Sequence, residues 1–375
     1  MFQLLSLLTL FFCIFYIALV IWFIKGWKSV KYSKTSEIKP SIRISVIIPA
    51  RNEENTIELV INDVLTQNYP SELVELIVVD DHSTDKTAEK LRNHISERTT
   101  IITLNESQKL NSYKKMAISR GIAKATGELI VTTDADCRMG PNWLAAIADC
   151  KVKTGCELIS GPVGFFDSPR FFDKVQQVEF MTLIGIGAAS VANQFPGTCN
   201  GANLAYSRDL FYKMNGFAGI EDIASGDDEL FLHKVFEFSP TCIQFLKNRD
   251  AFVFTAAKHN LFDFVQQRKR WASKSIHYRN KWLVALVCMV FSFNIFLLIN
   301  LFLAIYSGNY FLFAIQFFCK IVLDYSFIHL ISTFFKQEKL RWYLIPTEVF
   351  YVFYIVMIGI YGNLGGYTWK DRKVK

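Results

Sequence analysis

Thr126–Arg138 reads TGELIVTTDADCR, and this stretch decides the fold. Leu129, Ile130 and Val131 form a short apolar, β-branched run behind a glycine, the mark of a buried strand. Asp134 and Asp136 stand just past its end with one residue between them. At the carboxyl end of a strand in an open α/β sheet, side chains project into the crevice where ligands bind. Two carboxylates this close repel each other unless a cation lies between or beside them. Their oxygens suit a hard divalent ion, Mg²⁺ or Mn²⁺, with phosphate oxygens completing its shell. A pair of solvated turn aspartates is the alternative, and the short motif alone does not separate the two.

Toward the amino end, strand and helix patterns alternate. Ile44–Pro49 reads as a buried strand, and Glu53–Gln67 as a helix with Ile57, Val60, Ile61, Val64 and Leu65 on one face. Leu73–Val79 is a second strand, running into Asp80-Asp81-His82-Ser83-Thr84-Asp85. Ser83 or Thr84 can cap the next helix, which runs to about Ser96. Thr99–Leu104 is a third strand, and Tyr113–Ala125 is the helix that leads into the opening one. Such alternation predicts a mixed, mainly parallel sheet with helices on both faces. Dinucleotide chemistry needs G-x-G-x-x-G after the first strand, and this chain has Pro49-Ala50-Arg51-Asn52-Glu53-Glu54 there, which argues against NAD and flavins.

Toward the carboxyl end the expected elements are a helix over Pro141–Lys153, a strand over Glu157–Phe166 and a long helix over Ser168–Val191. The lower part of that helix, Met181–Val191, is rich in small residues and fits lipid, a tunnel wall or a plain core. A Gly/Asn turn enters a strand in Thr198–Ser207, and Ser225–Phe238 is a helix. Leu261–Arg279 is an amphipathic basic helix, with Phe262, Val265 and Trp271 opposite Arg268 and Lys269, suited to a membrane interface.

At 51% hydrophobic over 375 residues, the chain is too apolar for an ordinary soluble domain. The excess sits at both ends. Phe2–Ile24 is long enough to span a bilayer. No basic residue precedes it and no small-residue cleavage site follows, so it reads as an anchor rather than a signal peptide. Lys25, Lys28, Lys31 and Lys34 come after it, which puts that side in the cytoplasm. Trp282–Tyr306 and Phe311–Phe335 are further spans, while Tyr343–Tyr361 carries Pro346 and Glu348 and is either a third span or re-entrant. The expected layout is an anchor over 1–24, a basic linker over 25–42, a catalytic domain over 43–259, the interfacial helix over 260–281, a membrane region over 282–362 and a basic tail over 363–375. The net charge of +7 clusters beside apolar segments, so nucleic acid is not an expected partner. None of the eight cysteines has CxxC or zinc-ligand spacing, which predicts reduced, structural thiols.

Four constellations surround the paired aspartates. Asp80 and Asp81 end the second strand, where carboxylates can hydrogen-bond a base or ribose, or merely start a helix. Lys114 and Lys115 open the helix before Asp134. One lysine facing the crevice balances a phosphate, and a solvated face fits Lys115 better. Asp227 and Asp228 lie at a helix start, where one acid suffices for a cap and the second is a candidate general base. Gln267, Arg270 and Trp271 form Q-x-x-R-W, an arginine fork for phosphate and an indole for a sugar face, or simply a basic membrane-surface helix.

With these motifs in this order, nearly the whole chain resembles a membrane-bound family-2 glycosyltransferase of GT-A fold. That group includes cellulose, chitin and hyaluronan synthases and ceramide glucosyltransferases. The family's Pro-x-x-Asn-Glu appears as Pro49-Ala50-Arg51-Asn52-Glu53, its nucleotide aspartate as Asp81 and its lysine as Lys114. Gly201-Ala202-Asn203 is similar to its acceptor-side turn, and its Glu-Asp pair appears as Asp227-Asp228, a conservative departure that leaves Asp228 as the base. The resemblance implies a GT-A nucleotide-diphospho-sugar transferase domain flanked by transmembrane helices, facing the cytoplasm from an inner or plasma membrane. It also implies an inverting transfer from a nucleotide sugar, with UDP the usual carrier, to a lipid or growing glycan. Pro49, Ala50, Arg51, Glu53, Asp81, Lys114, Asp134, Gln267 and Arg270 would bind donor. Asp136 with Asp134 would bind Mg²⁺ or Mn²⁺, and Gly201, Ala202, Asn203 and Trp271 would meet acceptor. Glycosidases also use paired carboxylates but need no metal–diphosphate clamp. A processive synthase is the alternative, disfavoured by the few spans. A non-catalytic scaffold is a minor one, since every expected acid is present.

Overall fold

The computed structural model describes residues 2–35, 41–105, 112–362, 367–370 and 372–374. In chain order the elements are α1 (Phe2–Ser29), β1 (Ile44–Ala50), α2 (Ile57–Leu65), β2 (Val74–Asp80), α3 (Thr87–Arg92), β3 (Thr99–Thr103), α4 (Tyr113–Lys124) and β4 (Leu129–Thr132). There follow β5 (Arg138–Met139), α5 (Trp143–Thr154), β6 (Leu158–Ser160), β7 (Val163–Phe165), α6 (Phe171–Ala192), β8 (Leu204–Ser207), α7 (Arg208–Lys213), α8 (Glu229–Phe238), β9 (Ile243–Phe245) and β10 (Val253–Thr255). The chain closes with α9 (Leu261–Ala272), α10 (Lys281–Ser307), α11 (Phe311–Phe335), α12 (Arg341–Tyr361), β11 (Tyr367–Trp369) and β12 (Arg372–Val374). Two compact units result. A helical one comprises 1–29, 167–189 and 258–365, and an α/β one comprises 30–166, 190–257 and 366–375.

The α/β unit is built on a seven-stranded sheet of order β3-β2-β1-β4-β8-β6-β9. β1 to β4 run parallel, and β8 is antiparallel to both β4 and β6. Ile44, Val46, Ile47 and Ile48 are wholly buried, as a central strand covered on both faces requires. Register sets the functional edge: Ala50 pairs with Asp80, Ile47 with Thr132, and Thr132 with Leu204. The ends of β1, β2 and β4 therefore share one rim with the start of β8.

Local departures from expectation have identifiable causes. Glu157–Phe166 is two strands rather than one, β6 in the main sheet and β7 in a small sheet of order β5-β10-β7. Pro162 brings no N–H to a ladder. A Cβ on Gly161 would also stand 2.3 Å from Asn203 Nδ2. The helix after β1 begins at Ile57, not Glu53, because Glu53 N–H donates to Thr87 Oγ1 (2.7 Å) and Glu54 N–H to Asp85 Oδ2 (3.1 Å). Asp85 also accepts from Thr87 N–H (2.9 Å), so of the residues able to start α3 it is Asp85 that does so, rather than Ser83 or Thr84. α3 stops at Arg92, and Ser96 instead bridges Thr99.

Among the described residues, five helices are long and apolar enough to cross a membrane: Gln3–Ser29, Phe171–Ala192, Lys281–Ser307, Phe311–Phe335 and Glu338–Tyr361. The second of these lies where the small-residue-rich helix was expected. α1 packs on α11, and α10 on α12 and α11. Lys320 is buried in the helical unit against Asp324 (2.6 Å) and Glu348, and Tyr16 donates to Asp324 (2.5 Å). Charges in an apolar bundle persist when they pair in this way.

Candidate active site

The paired aspartates leave the rim immediately after β4. One carboxylate oxygen from each of Asp134 and Asp136, together with Cys137 Sγ, lies within a 4.8 Å cluster. Burial pushes the Cys137 thiol up, and the Asp136 and Asp134 carboxylates push it further; a sulfur is in any case a soft donor, ill matched to a hard cation. What remains is a set of hard oxygen donors, the chemistry that Mg²⁺ or Mn²⁺ takes.

Lys114, at the first turn of α4, faces this rim. Its Nζ lies 2.8 Å from Asp134 Oδ1 and 3.2 Å from Asp227 Oδ2. Burial opposes its charge, but Asp134, Asp227 and Asp228 outweigh that and hold the ammonium above the usual lysine range. Lys115 does not sit on a solvated face, contrary to expectation. Its Nζ is buried and donates to the carbonyls of Ile220 and Ser225 (2.8 Å each) and of Ile223. Those carbonyls belong to the loop that delivers Asp227 and Asp228, so the two adjacent lysines divide the work, one on the acids and one on their support.

Asp228 is the N-cap of α8. Its Oδ1 accepts from Glu229 N–H (2.6 Å) and its Oδ2 from Gly201 N–H (3.1 Å). Two backbone donors thus fix the carboxylate's orientation. Gly201 is where the acids approach the backbone: a Cβ there would meet Asp227 Oδ2 at 3.1 Å and Lys114 Nζ at 3.5 Å. Thr132 Oγ1 donates to Gly201 O (3.0 Å), tying this turn to the end of β4. Ala202 N–H donates to Asn200 Oδ1 (2.9 Å). Asn203 is spent within the fold. Its amide nitrogen donates to Pro162 O and Ala251 O (2.8 Å each), and its Oδ1 accepts from Trp143 Nε1 (3.0 Å). It shapes the turn from beneath rather than offering itself to an acceptor.

The β1 and β2 loops interlock on the same rim. Asn52, in a left-handed conformation at φ 50°, accepts from Thr84 N–H (2.8 Å), and its own N–H donates to Ser83 Oγ (3.1 Å). Arg51 Nη1 donates to Asp81 O (2.9 Å) and His82 O (2.6 Å). Pro49 and Ala50 close β1 itself. Asp81 and Glu53 meet two residues that the sequence reading passed over as a basic tail. Arg372 Nη1 and Nη2 donate to Asp81 Oδ2 (2.7 Å) and Oδ1 (3.1 Å), and Lys370 Nζ pairs with Glu53. No local pattern marks either one.

Gln267, Arg270 and Trp271 lie on α9, in the helical unit. Arg268 was expected on the polar face and is instead buried. Its Nε and Nη2 donate to Glu179 Oε2 (3.1 and 2.6 Å), and its guanidinium lies 4.3 Å from the Phe264 ring and 4.4 Å from Trp271. The ion pair and the rings satisfy a charge that would otherwise have to stay in water. Phe262, expected on the apolar face turned to the membrane interface, is exposed. Gln267 Oε1 accepts from Arg268, and Trp271 stacks on Phe180 with centroids 5.7 Å apart.

A mainly parallel α/β sheet with an acid-lined rim and a lysine among the acids defines a nucleotide-sugar transferase domain of GT-A type. A solved mannosyltransferase from Pyrobaculum calidifontis, in complex with GDP-Man and Mn²⁺, shares that fold. It aligns with 96% of this chain and 99% of its own at TM-score 0.53 and 18% identity. Residues 45–214 match the family model for glycosyl transferase family 2, so this segment of the chain is similar to the catalytic domain of that family. Among curated relatives, a stretch of 122 residues is 34% identical to glycosyltransferase AglE of Haloferax volcanii, covering 32% of this chain and 40% of that protein. Another of 112 residues is 38% identical to an undecaprenyl-phosphate 4-deoxy-4-formamido-L-arabinose transferase of Photorhabdus laumondii, covering 26% and 30%. The chain spans less than half the length of these relatives.

Proposed function

We propose that the protein moves a sugar, with inversion, from a nucleoside diphosphate sugar to a hydroxyl of a membrane lipid. The observation that carries this reading is the meeting of Lys114, Asp134, Asp227 and Asp228 on one rim, within 3.2 Å of a shared ammonium or of the Gly201 turn. Asp136 with Asp134 would hold Mg²⁺ or Mn²⁺, which when bound neutralises charge on the departing diphosphate. Lys114 balances diphosphate charge from the opposite side. Asp227, paired to Lys114, keeps that ammonium in place. Asp228, held by two backbone donors, takes the proton from the acceptor hydroxyl as its oxygen bonds to the anomeric carbon and the bond from that carbon to the diphosphate breaks. Asp81, Arg51, Glu53, Pro49 and Ala50 form the nucleoside side of the rim. Gly201 and Ala202 line the acceptor side. The roles of Gln267 and Arg270 toward donor, and of Trp271 toward acceptor, rest on the motif alone.

The lipid acceptor is favoured by the five long apolar helices and by the polyprenyl-phosphate acceptor in the name of one relative. The basic flank after α1 supports a cytoplasmic active site. UDP is the proposed carrier. The test is product length. Full-length protein in nanodiscs, given nucleotide sugar and membrane lipid extract, should yield a lipid heavier by one sugar in mass spectrometry. A ladder of repeating sugars would instead establish the processive reading.

A further inference from the structure

The hairpin of β11 and β12 places two cations on the nucleoside side of the rim. Arg372 presents a flat, two-pronged N–H edge to both oxygens of Asp81, at 2.7 and 3.1 Å. Its guanidinium carbon lies 3.6 Å from the centre of the Tyr113 ring, a stacking distance. Tyr113 is the residue before Lys114, and the His82 ring stands edge-on to it at 5.9 Å. His82 Nδ1 lies 2.9 Å from Asp81 Oδ1 and closes the far side of the carboxylate. Lys370 anchors the same segment, its Nζ donating to Arg51 O (2.6 Å) and pairing with Glu53, while Arg51 Nε donates to Lys370 O (3.4 Å).

A planar group stacked on a tyrosine and hydrogen-bonded edgewise to a carboxylate is what a nucleobase would be in this place. We propose that Arg372, seated on Asp81 and over the Tyr113 ring, occupies the place where the donor-binding reading puts the nucleotide's base, so that tail and nucleotide compete. This rests on the donor-binding reading of the rim and adds to it an intramolecular competitor, Arg372. A carboxylate accepts from the imide N–H of uracil or from the N–H and amino group of guanine. Adenine and cytosine offer an amino N–H to one carboxylate oxygen but turn a bare ring nitrogen toward the other, so one of the two oxygens faces an acceptor. Uridine and guanosine nucleotides are therefore the class that displaces Arg372. Tyr113 adds sequence-tolerant stacking to whichever base enters. With the tail seated, only the fraction of molecules with an open subsite binds, and apparent affinity falls by that fraction.

The test uses the full chain in detergent and titrates Mg²⁺ complexes of UDP, GDP, ADP and CDP by calorimetry. Arg372→Ala should tighten UDP or GDP binding about five- to tenfold and lower the donor KM with little change in kcat. Lys370→Ala, which frees the same segment without touching Asp81, should shift affinity the same way. Adding Tyr113→Ala to Arg372→Ala should weaken binding again by about tenfold. ADP and CDP should bind more weakly than either preferred nucleotide throughout. Unchanged or weaker UDP and GDP binding in both tail variants overturns the competition while leaving the rim as the donor site. Failure of every nucleotide to bind wild type and both variants overturns the donor reading itself.

Discussion

Asp228→Asn should lower transfer by about 10²- to 10⁴-fold while donor binding survives. The carboxylate has two tasks, and the substitution separates them. Asn keeps an oxygen for Glu229 N–H, so α8 retains its cap. It loses the second anionic oxygen, which accepts from Gly201 N–H and is the proposed receiver of the acceptor's proton. Nucleotide affinity, measured separately by calorimetry, should stay within a few-fold, because Asp228 holds the acceptor side of the rim. Turnover at the wild-type rate would remove Asp228 as base and pass the role to Asp227 or to another group.

Lys114→Met should reduce kcat/KM by about 10²- to 10³-fold, the scale seen when one preorganised donor to a developing anion is lost. Methionine keeps most of the stem and deletes the ammonium that lies between Asp134 and Asp227. The two carboxylates then face each other without a counter-charge, and the diphosphate loses a cation. Donor affinity and rate should fall together, and melting temperature should fall modestly, since Asp227 is nearly buried. Wild-type kcat/KM in this variant would show that the lysine only holds the loop.

The parallel half of the fold was legible because period and punctuation agreed. β-branched runs such as SVII and ELIVV alternate with helical spacing, and each run ends at an acid or a proline. Asp134, Asp136, Lys114 and the Asp227–Asp228 pair stood out because the first two follow a strand end and the others open helices. Elsewhere, tertiary partners overrode local pattern. Lys115 and Arg268 read as solvated cations, yet both are buried, one by loop carbonyls and one by Glu179 with two aromatic rings. Phe264 and Trp271 lie within a turn of Arg268, but nothing nearby announces Glu179 or the carbonyls that meet Lys115, which lie about 90 or more positions away. Asn203 was placed toward the acceptor by the family resemblance of its turn, but three hydrogen bonds consume its amide. The break between β6 and β7 was marked by Gly161-Pro162, which a run of flanking apolar residues obscured.

The claim beneath all of this is that the rim's carboxylates hold a divalent cation on which the donor diphosphate depends. Mn²⁺ and nucleoside diphosphate titrated against the full chain should each tighten the other, as linkage requires. In Asp136→Ala that mutual gain should vanish, with nucleotide affinity falling to the level wild type shows in EDTA. Equal nucleotide binding with and without metal, in wild type and variant alike, would contradict the account.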